Sequence, residues 1–300
     1  MKWLFLYTSK FLFLTFFFHS FTVFGSSTTE QILSCDLVAF SYNRPMQLYA
    51  FLESLEEHTK NLQNISVIYR VDPFFISGYE IVKNRFSYVR FFCQESQNFK
   101  DLVLDVAFGV FGQNASHIIF AVDDIIITDK IDFQEGIKKL QNANAYGLYY
   151  RLGKNINFCG LQNFPQEIPC LTNVGDGYFS WDVVTASLDW GYSNSLDLTL
   201  YKKEDIQNEI AATIFTGPNE LEGRWKMEHA AIGICPEKSK MINIVLNTVA
   251  DYVSFTSRAY SPLLLNRLFL EGKKIDIAPF YKITNNSPHV FLKVDFKPRA

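Results

Sequence analysis

Residues 117–124 read His-Ile-Ile-Phe-Ala-Val-Asp-Asp. The first six make a continuous uncharged run, the pattern of a strand covered on both faces, and the run stops abruptly at Asp123 and Asp124. Working upstream, residues 37–40 form a shorter apolar run that ends in the polar turn Ser41-Tyr42-Asn43-Arg44-Pro45, after which Leu48, Phe51, Leu52 and Leu55 recur at helical spacing. Residues 65–71 predict a second strand closing on Asp72-Pro73, followed by a helix around 79–84, a strand over 88–92 and a helix over 99–111. Such alternation predicts an α/β fold with a parallel sheet flanked by helices. Open sheets of this kind bind ligands outside the carboxyl ends of their strands. The turn at 41–45, Asp72 and the aspartate pair are therefore expected to line one crevice.

Downstream the pattern is less regular. A helix is expected over 131–140, a strand over 145–150, a long polar loop over 153–177, a helix over 203–213 and another over 220–231 with Pro218 in its first turn. An amphipathic segment at 240–252, a helix at 263–270 and a short strand near 274–277 complete a helical C-terminal extension. Residues 1–25 read as a signal peptide or N-terminal anchor, residues 36–280 as the main domain and residues 281–300 as a loosely patterned tail.

The 300 residues carry a net charge of -3, with 48% hydrophobic and 20% charged side chains. That is enough chain for a large core, and no basic stripe favours nucleic acid as a partner. Residues 3–24 are nearly all apolar, are preceded by Lys2 and are followed by Ser26, Ser27, Thr28 and Thr29. This segment predicts entry to the secretory pathway, export or membrane anchoring. The five cysteines show no metal-ligand spacing. Cys159 and Cys170 flank a loop-like stretch and are the expected disulfide pair in an exported domain, with buried free thiols as the alternative. Asn64, Asn114 and Asn285 lie in glycosylation sequons.

Two stretches, Val38-Ala39-Phe40-Ser41-Tyr42-Asn43-Arg44-Pro45 with Ser54-Leu55 behind it, and Ile118-Ile119-Phe120-Ala121-Val122-Asp123-Asp124, resemble glycosyltransferases of the GT-A fold, family 2 type. The likeness covers roughly residues 36–235 and is strongest in the first half. In the second stretch this chain has Val-Asp-Asp where the family pattern is Asp-x-Asp, which leaves open which aspartate meets a metal directly. The resemblance implies that the sheet is mixed and mostly parallel, and it implies transfer of a sugar from a nucleotide-sugar donor to a carbohydrate or other hydroxyl acceptor, with inversion. It also implies that Ser41, Tyr42, Arg44, Asp72 and Asp123 contact the donor, with Arg44 on phosphate or ribose and Asp72 on the base.

The chemistry of the residues agrees with that expectation. Two carboxylates repel a sugar diphosphate unless a hard cation lies between them, so Asp123 and Asp124 are expected to hold Mn²⁺ or Mg²⁺. A proton acceptor must then come from elsewhere, and Glu222 is the first choice with Glu220 the second, both near a predicted helix start. Acidic residues also suit a helix N-terminus through its dipole, which is the structural alternative. Trp181, Trp190 and Trp225 would stack on a sugar or fill the core, and His229 would ligate the metal or sit as an ordinary helix residue. The alternative function is an exported GT-A-like protein that binds carbohydrate or a partner without catalysis. A nucleotidyltransferase is less favoured, because no Gly-rich phosphate loop follows the first strand.

Overall fold

The run His117–Val122 is an interior strand of a sheet that has nine strands among the described residues. The computed structural model describes residues 33–95, 98–112, 114–226, 232–247 and 260–299. The strands of the main sheet, in chain order, are β1 Cys35–Tyr42, β2 Asn64–Arg70, β3 Arg90–Cys93, β4 His117–Val122, β5 Gly147–Tyr149, β6 Thr172–Gly175, β7 Tyr178–Asp182, β8 Thr199–Lys202 and β9 Ile232–Pro236. They lie in the order β6-β7-β9-β5-β8-β4-β1-β2-β3. Strands β1 to β4 are mutually parallel, β8 is antiparallel to both β4 and β5, and β9 is parallel to β5 but antiparallel to β7. Since β6 is antiparallel to β7, only β7 and β8 run against the rest. The sheet is mixed and mostly parallel in strand direction, as the family resemblance implies; the alternation alone predicts the parallel strands but not the reversed β7 and β8.

Strand periodicity then sorts the core onto two faces. On one, Leu37, Ala39, Ile119 and Ala121 pack against α1 (Pro45–His58), α2 (Ile76–Arg85), α4 (Phe133–Asn142) and α7 (Pro262–Leu270). On the other, Val38, Phe40, Ile118 and Phe120 pack against α3 (Phe99–Ala107), α5 (Lys203–Ala212) and α6 (Pro218–Arg224). Complete burial of side chains such as Phe120 and Ile119 stabilises the fold by roughly 1.5–3 kcal/mol each. A covered sheet of this kind leaves its strand ends as the place where polar groups meet solvent.

Several expectations change on inspection of the backbone. Helix α3 stops at Ala107 rather than near 111 because the chain turns back on itself: a Cβ on Gly112 would lie 2.3 Å from the Ala107 carbonyl oxygen. The helix expected over 220–231 ends at Arg224, and residues 232–236 are β9. There Gly233 faces the Trp181 ring so closely that a Cβ would come within 2.7 Å of it. Residues 199–202, ahead of the predicted helix at 203, form β8. The long loop over 153–177 contains a hairpin pairing Phe158–Cys159 with Phe164–Pro165 and the edge strand β6.

All five cysteines are free thiols, with Cys159 buried and Cys170 exposed, so the expected pair is not formed. Residues 281–300 are no separate tail. His289–Val290 pairs with the strand Met241–Ile244, which also pairs with Ile125–Ile127, and Phe296–Pro298 pairs with Lys273–Ile275. Leu33–Ala300 accordingly forms one unit. The signal or anchor expected at residues 1–25, and His229, lie outside the described residues. No helix among the described residues is long and apolar enough to cross a membrane.

Candidate active site

The turn after β1 brings the predicted residues together. Asn43 adopts a φ of 55°, a left-handed conformation that asparagine tolerates better than most residues. Its side-chain amide donates to Asp72 Oδ2 at 2.7 Å while its Oδ1 accepts from the Asp72 backbone N–H at 2.9 Å. Tyr42 Oη adds a 3.3 Å bond to the same Asp72 oxygen. Asp72 thus clamps the 41–45 turn to the end of β2, and it does not line the cleft described next.

That cleft has a volume of about 540 Å³ and opens at the carboxyl ends of β1, β2, β3 and β4. Ser41, Tyr42, Arg44 and Asp123 lie on it, as expected from the sequence, and residues 216–220 at the start of α6 form the facing wall. Arg70 and Gln94 also line it and were not anticipated. Arg70 stacks over the Tyr42 ring with its guanidinium carbon 4.9 Å from the centroid, giving the rim a fixed positive charge. Their position at the ends of β2 and β3 was the available sequence signal.

On the cleft floor, Asp123 is almost fully buried and both its oxygens are engaged. Oδ2 accepts from Ser41 Oγ at 2.8 Å, which in turn meets Tyr79 Oη at 2.6 Å, and Oδ1 accepts from Arg44 Nη1 at 3.0 Å. The same Arg44 nitrogen reaches Asp124 Oδ2 at 3.0 Å. At that distance and an effective dielectric near 20, each contact contributes about 5.5 kcal/mol of Coulomb energy before desolvation is subtracted. Burial raises both carboxyls, Asp124 to about 6, and Arg44 pulls against that rise. Burial works against the charge of Arg44 too, but the two aspartates outweigh it and keep the guanidinium protonated.

Asp124 Oδ1 is buried without a hydrogen-bond partner among the described residues. Among the described residues no three His, Cys, Asp or Glu side chains gather as a metal-holding group. Two adjacent carboxylates with one oxygen unsatisfied nevertheless match how Mg²⁺ and related cations are held beside a diphosphate, where phosphate oxygens and water complete the shell. Asp123 and Asp124 would be the protein's ligands.

A second group of charges lies close to Asp124. Asp197 accepts from His289 Nε2 at 3.1 Å and from Asn243 Nδ2 at 3.3 Å, and the residue after it, Leu198, is held at a φ of 50°. Burial opposes ionisation of Asp197, but His289 outweighs it and lowers the carboxyl's pKa; Asp197 in turn raises that of the imidazole. Glu222 Oε1 accepts from the Leu196 backbone N–H at 2.8 Å. Burial first, and Asp197 second, raise its carboxyl to about 7. Glu220, by contrast, lines the cleft but is engaged by Thr216 and Arg224, and the Thr216 bonds lower its carboxyl. Asp197 and His289 were missed in the sequence. The available signal for Asp197 was its place just ahead of the apolar run that becomes β8, whereas His289 sits in the stretch read as a tail.

The three tryptophans are core residues. Trp181 and Trp190 donate to the carbonyls of Trp190 and Ile156 at 3.0 Å each, and Trp225 packs against Phe120 and Tyr201. None is available to stack on a sugar.

With this geometry in place, similarity to known proteins adds an independent line. No protein-family profile matches the chain. A curated relative, the bifunctional glycosyltransferase pgtA of Dictyostelium discoideum, is 26% identical over 192 residues, which is 58% of this chain and 24% of the relative. The resemblance read from residues 38–45 and 118–124 is borne out. The chain spans only about a quarter of that relative's length. Among solved structures, S. aureus TarS 1-349 in complex with UDP-GlcNAc aligns with a TM-score of 0.41 at 12% identity, covering 68% of this chain and 58% of that one. The 4-diphosphocytidyl-2C-methyl-D-erythritol synthase from Anaerococcus prevotii aligns with a TM-score of 0.38 at 7% identity, covering 80% and 96%. Both structural likenesses are partial.

Proposed function

We propose that the chain is a glycosyltransferase that moves a sugar from a nucleotide-sugar donor to a hydroxyl acceptor, with inversion and with the help of Mn²⁺ or Mg²⁺. The observation that carries this reading is the meeting of Ser41, Tyr42, Arg44 and Asp123 on the floor of one cleft at the strand ends. The glycosyltransferase activity named for the Dictyostelium relative supports it. The cleft would take the nucleotide diphosphate, with Arg70 and Arg44 as its cationic contacts. A cation held by Asp123 and Asp124 would neutralise the diphosphate as it leaves.

Glu222 is the proposed proton acceptor for the acceptor hydroxyl. Its raised carboxyl suits a base working near neutral pH, and the charge of Asp197 acts on both Glu222 and Asp124. Glu220 is less suited, because its carboxylate already holds Thr216 and Arg224.

A panel of UDP-, GDP- and dTDP-sugars, incubated with Mn²⁺ or Mg²⁺, tests the proposal by release of nucleoside diphosphate. One donor class should be consumed, and EDTA should stop it. Consumption of none, together with no calorimetric binding of nucleoside diphosphates in the presence of Mn²⁺, would favour a non-catalytic carbohydrate-binding protein instead.

A further inference from the structure

The guanidinium of Arg44 stands where the two carboxylates converge. Its Nη1 is 3.0 Å from Asp123 Oδ1 and 3.0 Å from Asp124 Oδ2. Its other nitrogens are held behind by Asn247, with Nε 2.9 Å from Oδ1 and Nη2 2.6 Å from the backbone oxygen. A hard divalent cation binds carboxylate oxygens at about 2.0–2.6 Å. An ion shared by these same two oxygens and a guanidinium nitrogen donating to both would overlap in space, and their positive charges would repel in a buried setting. The two occupants exclude one another.

The surroundings of Arg44 point to a second arrangement. With the guanidinium on the pair, Asp124 Oδ1, Gln47 Oε1 and Asn247 Nδ2 are all buried without partners among the described residues. Gln47 and Asn247 are only 3% and 4% exposed, so these groups cannot turn to bulk water. Gln47 and Asp124 border the same small void beneath the pair. Of the unpartnered atoms, Asp124 Oδ1 is the acceptor that a bound cation would satisfy, and leaving it unsatisfied costs free energy. Asp123 can keep its orientation without Arg44, because Ser41 Oγ and, behind it, Tyr79 Oη hold its other oxygen. Arg44 has somewhere to go, since its side chain also borders the cleft where a diphosphate would offer it new acceptors.

We propose that Arg44 is a built-in counter-cation of Asp123 and Asp124 that competes with the divalent ion for them, so that the ion is held by both carboxylates only after Arg44 has left. This inference rests on the metal reading given above, and the experiment separates the two. Mn²⁺ is titrated into the full chain at pH 8 without donor, and free ion is followed by electron paramagnetic resonance. Arg44→Met should bind Mn²⁺ at least about tenfold more tightly than wild type, and Asp124→Asn should lose binding in either background. Arg44→Lys keeps a charge that cannot span both carboxylates while holding Asn247, and it should fall between the two. If wild type binds Mn²⁺ through Asp124 but Arg44→Met binds no more tightly, the competition is refuted while the metal reading stands. If neither protein binds Mn²⁺, the metal reading fails and the competition fails with it. Should Arg44→Met not fold by circular dichroism, Arg44→Lys decides, and unchanged affinity there refutes the proposal.

Discussion

Desolvation of the half-buried Glu222 side chain, and after it the charge of Asp197, push its carboxyl up to about 7; the Leu196 N–H, Arg151 and His289 offset this only in part. Its ordinary value is 4.5, so between pH 4.5 and 7 the folded chain retains a proton that the unfolded chain has released. That contribution to stability is fully present below about 4.5 and is lost as pH rises through 7. Glu222→Gln removes the liability while keeping an acceptor for the Leu196 N–H. The variant should melt above wild type at pH 8, with the difference vanishing toward pH 4. As a proton acceptor the ionised form is the active one, so wild-type turnover should rise with pH through about 7. Turnover by Glu222→Gln should be lower by roughly 10²–10⁴-fold and lose that rise. A variant with wild-type turnover and profile would remove Glu222 from the chemistry.

Among the secondary-structure elements, β8 matters most to the site. It runs antiparallel between β4 and β5, and the turn before it delivers Asp197. Lys203, directly after β8, donates from Nζ to Asp36 Oδ2 at 2.8 Å and to the Gly112 carbonyl at 2.6 Å, while Asn64 Nδ2 donates to the other Asp36 oxygen at 2.7 Å. This buried ion pair ties the start of α5 to the start of β1. Lys203→Met would leave Asp36 charged in the core, and urea denaturation should show a loss of about 3–5 kcal/mol. A loss below about 1 kcal/mol would mean that the pair is not needed to hold the elements together.

The elements legible in the sequence were those with an unmixed period. Residues 117–122 and the helix after Pro45 needed only local pattern, and the strand-end rule then put Ser41, Tyr42, Arg44 and Asp123 in one place. Strand β9 was not legible, because Ile232-Gly233-Ile234 follows a stretch of helical pattern and the strand is held by pairing with the distant β5 and β7, where the Trp181 ring lies against Gly233. Nor were the partners of Arg44, which lie 79, 80 and 203 residues away in the chain. The residue type announced a cation for phosphate; only the fold shows it lying on the aspartates.

At the scale of the molecule, the mixed sheet divides the work. Parallel strands β1 to β4 end together and build the cleft, whereas the reversed β8 and the short strand Met241–Ile244 bring Asp197, Asn243 and His289 up beside Asp124. Residues 281–300 belong to this arrangement, since His289 comes from them. Cleft and charge cluster therefore meet at the aspartate pair, and the central claim is that this pair serves nucleotide-sugar transfer through a bound cation. The most direct measurement compares wild type and Asp124→Asn for nucleoside diphosphate release from the preferred donor, across a titration of Mn²⁺ from chelated to saturating. Wild-type turnover should climb from near zero with Mn²⁺, and Asp124→Asn should stay at least about a hundredfold lower throughout. Equal turnover by the two proteins, unaffected by Mn²⁺, would contradict that claim.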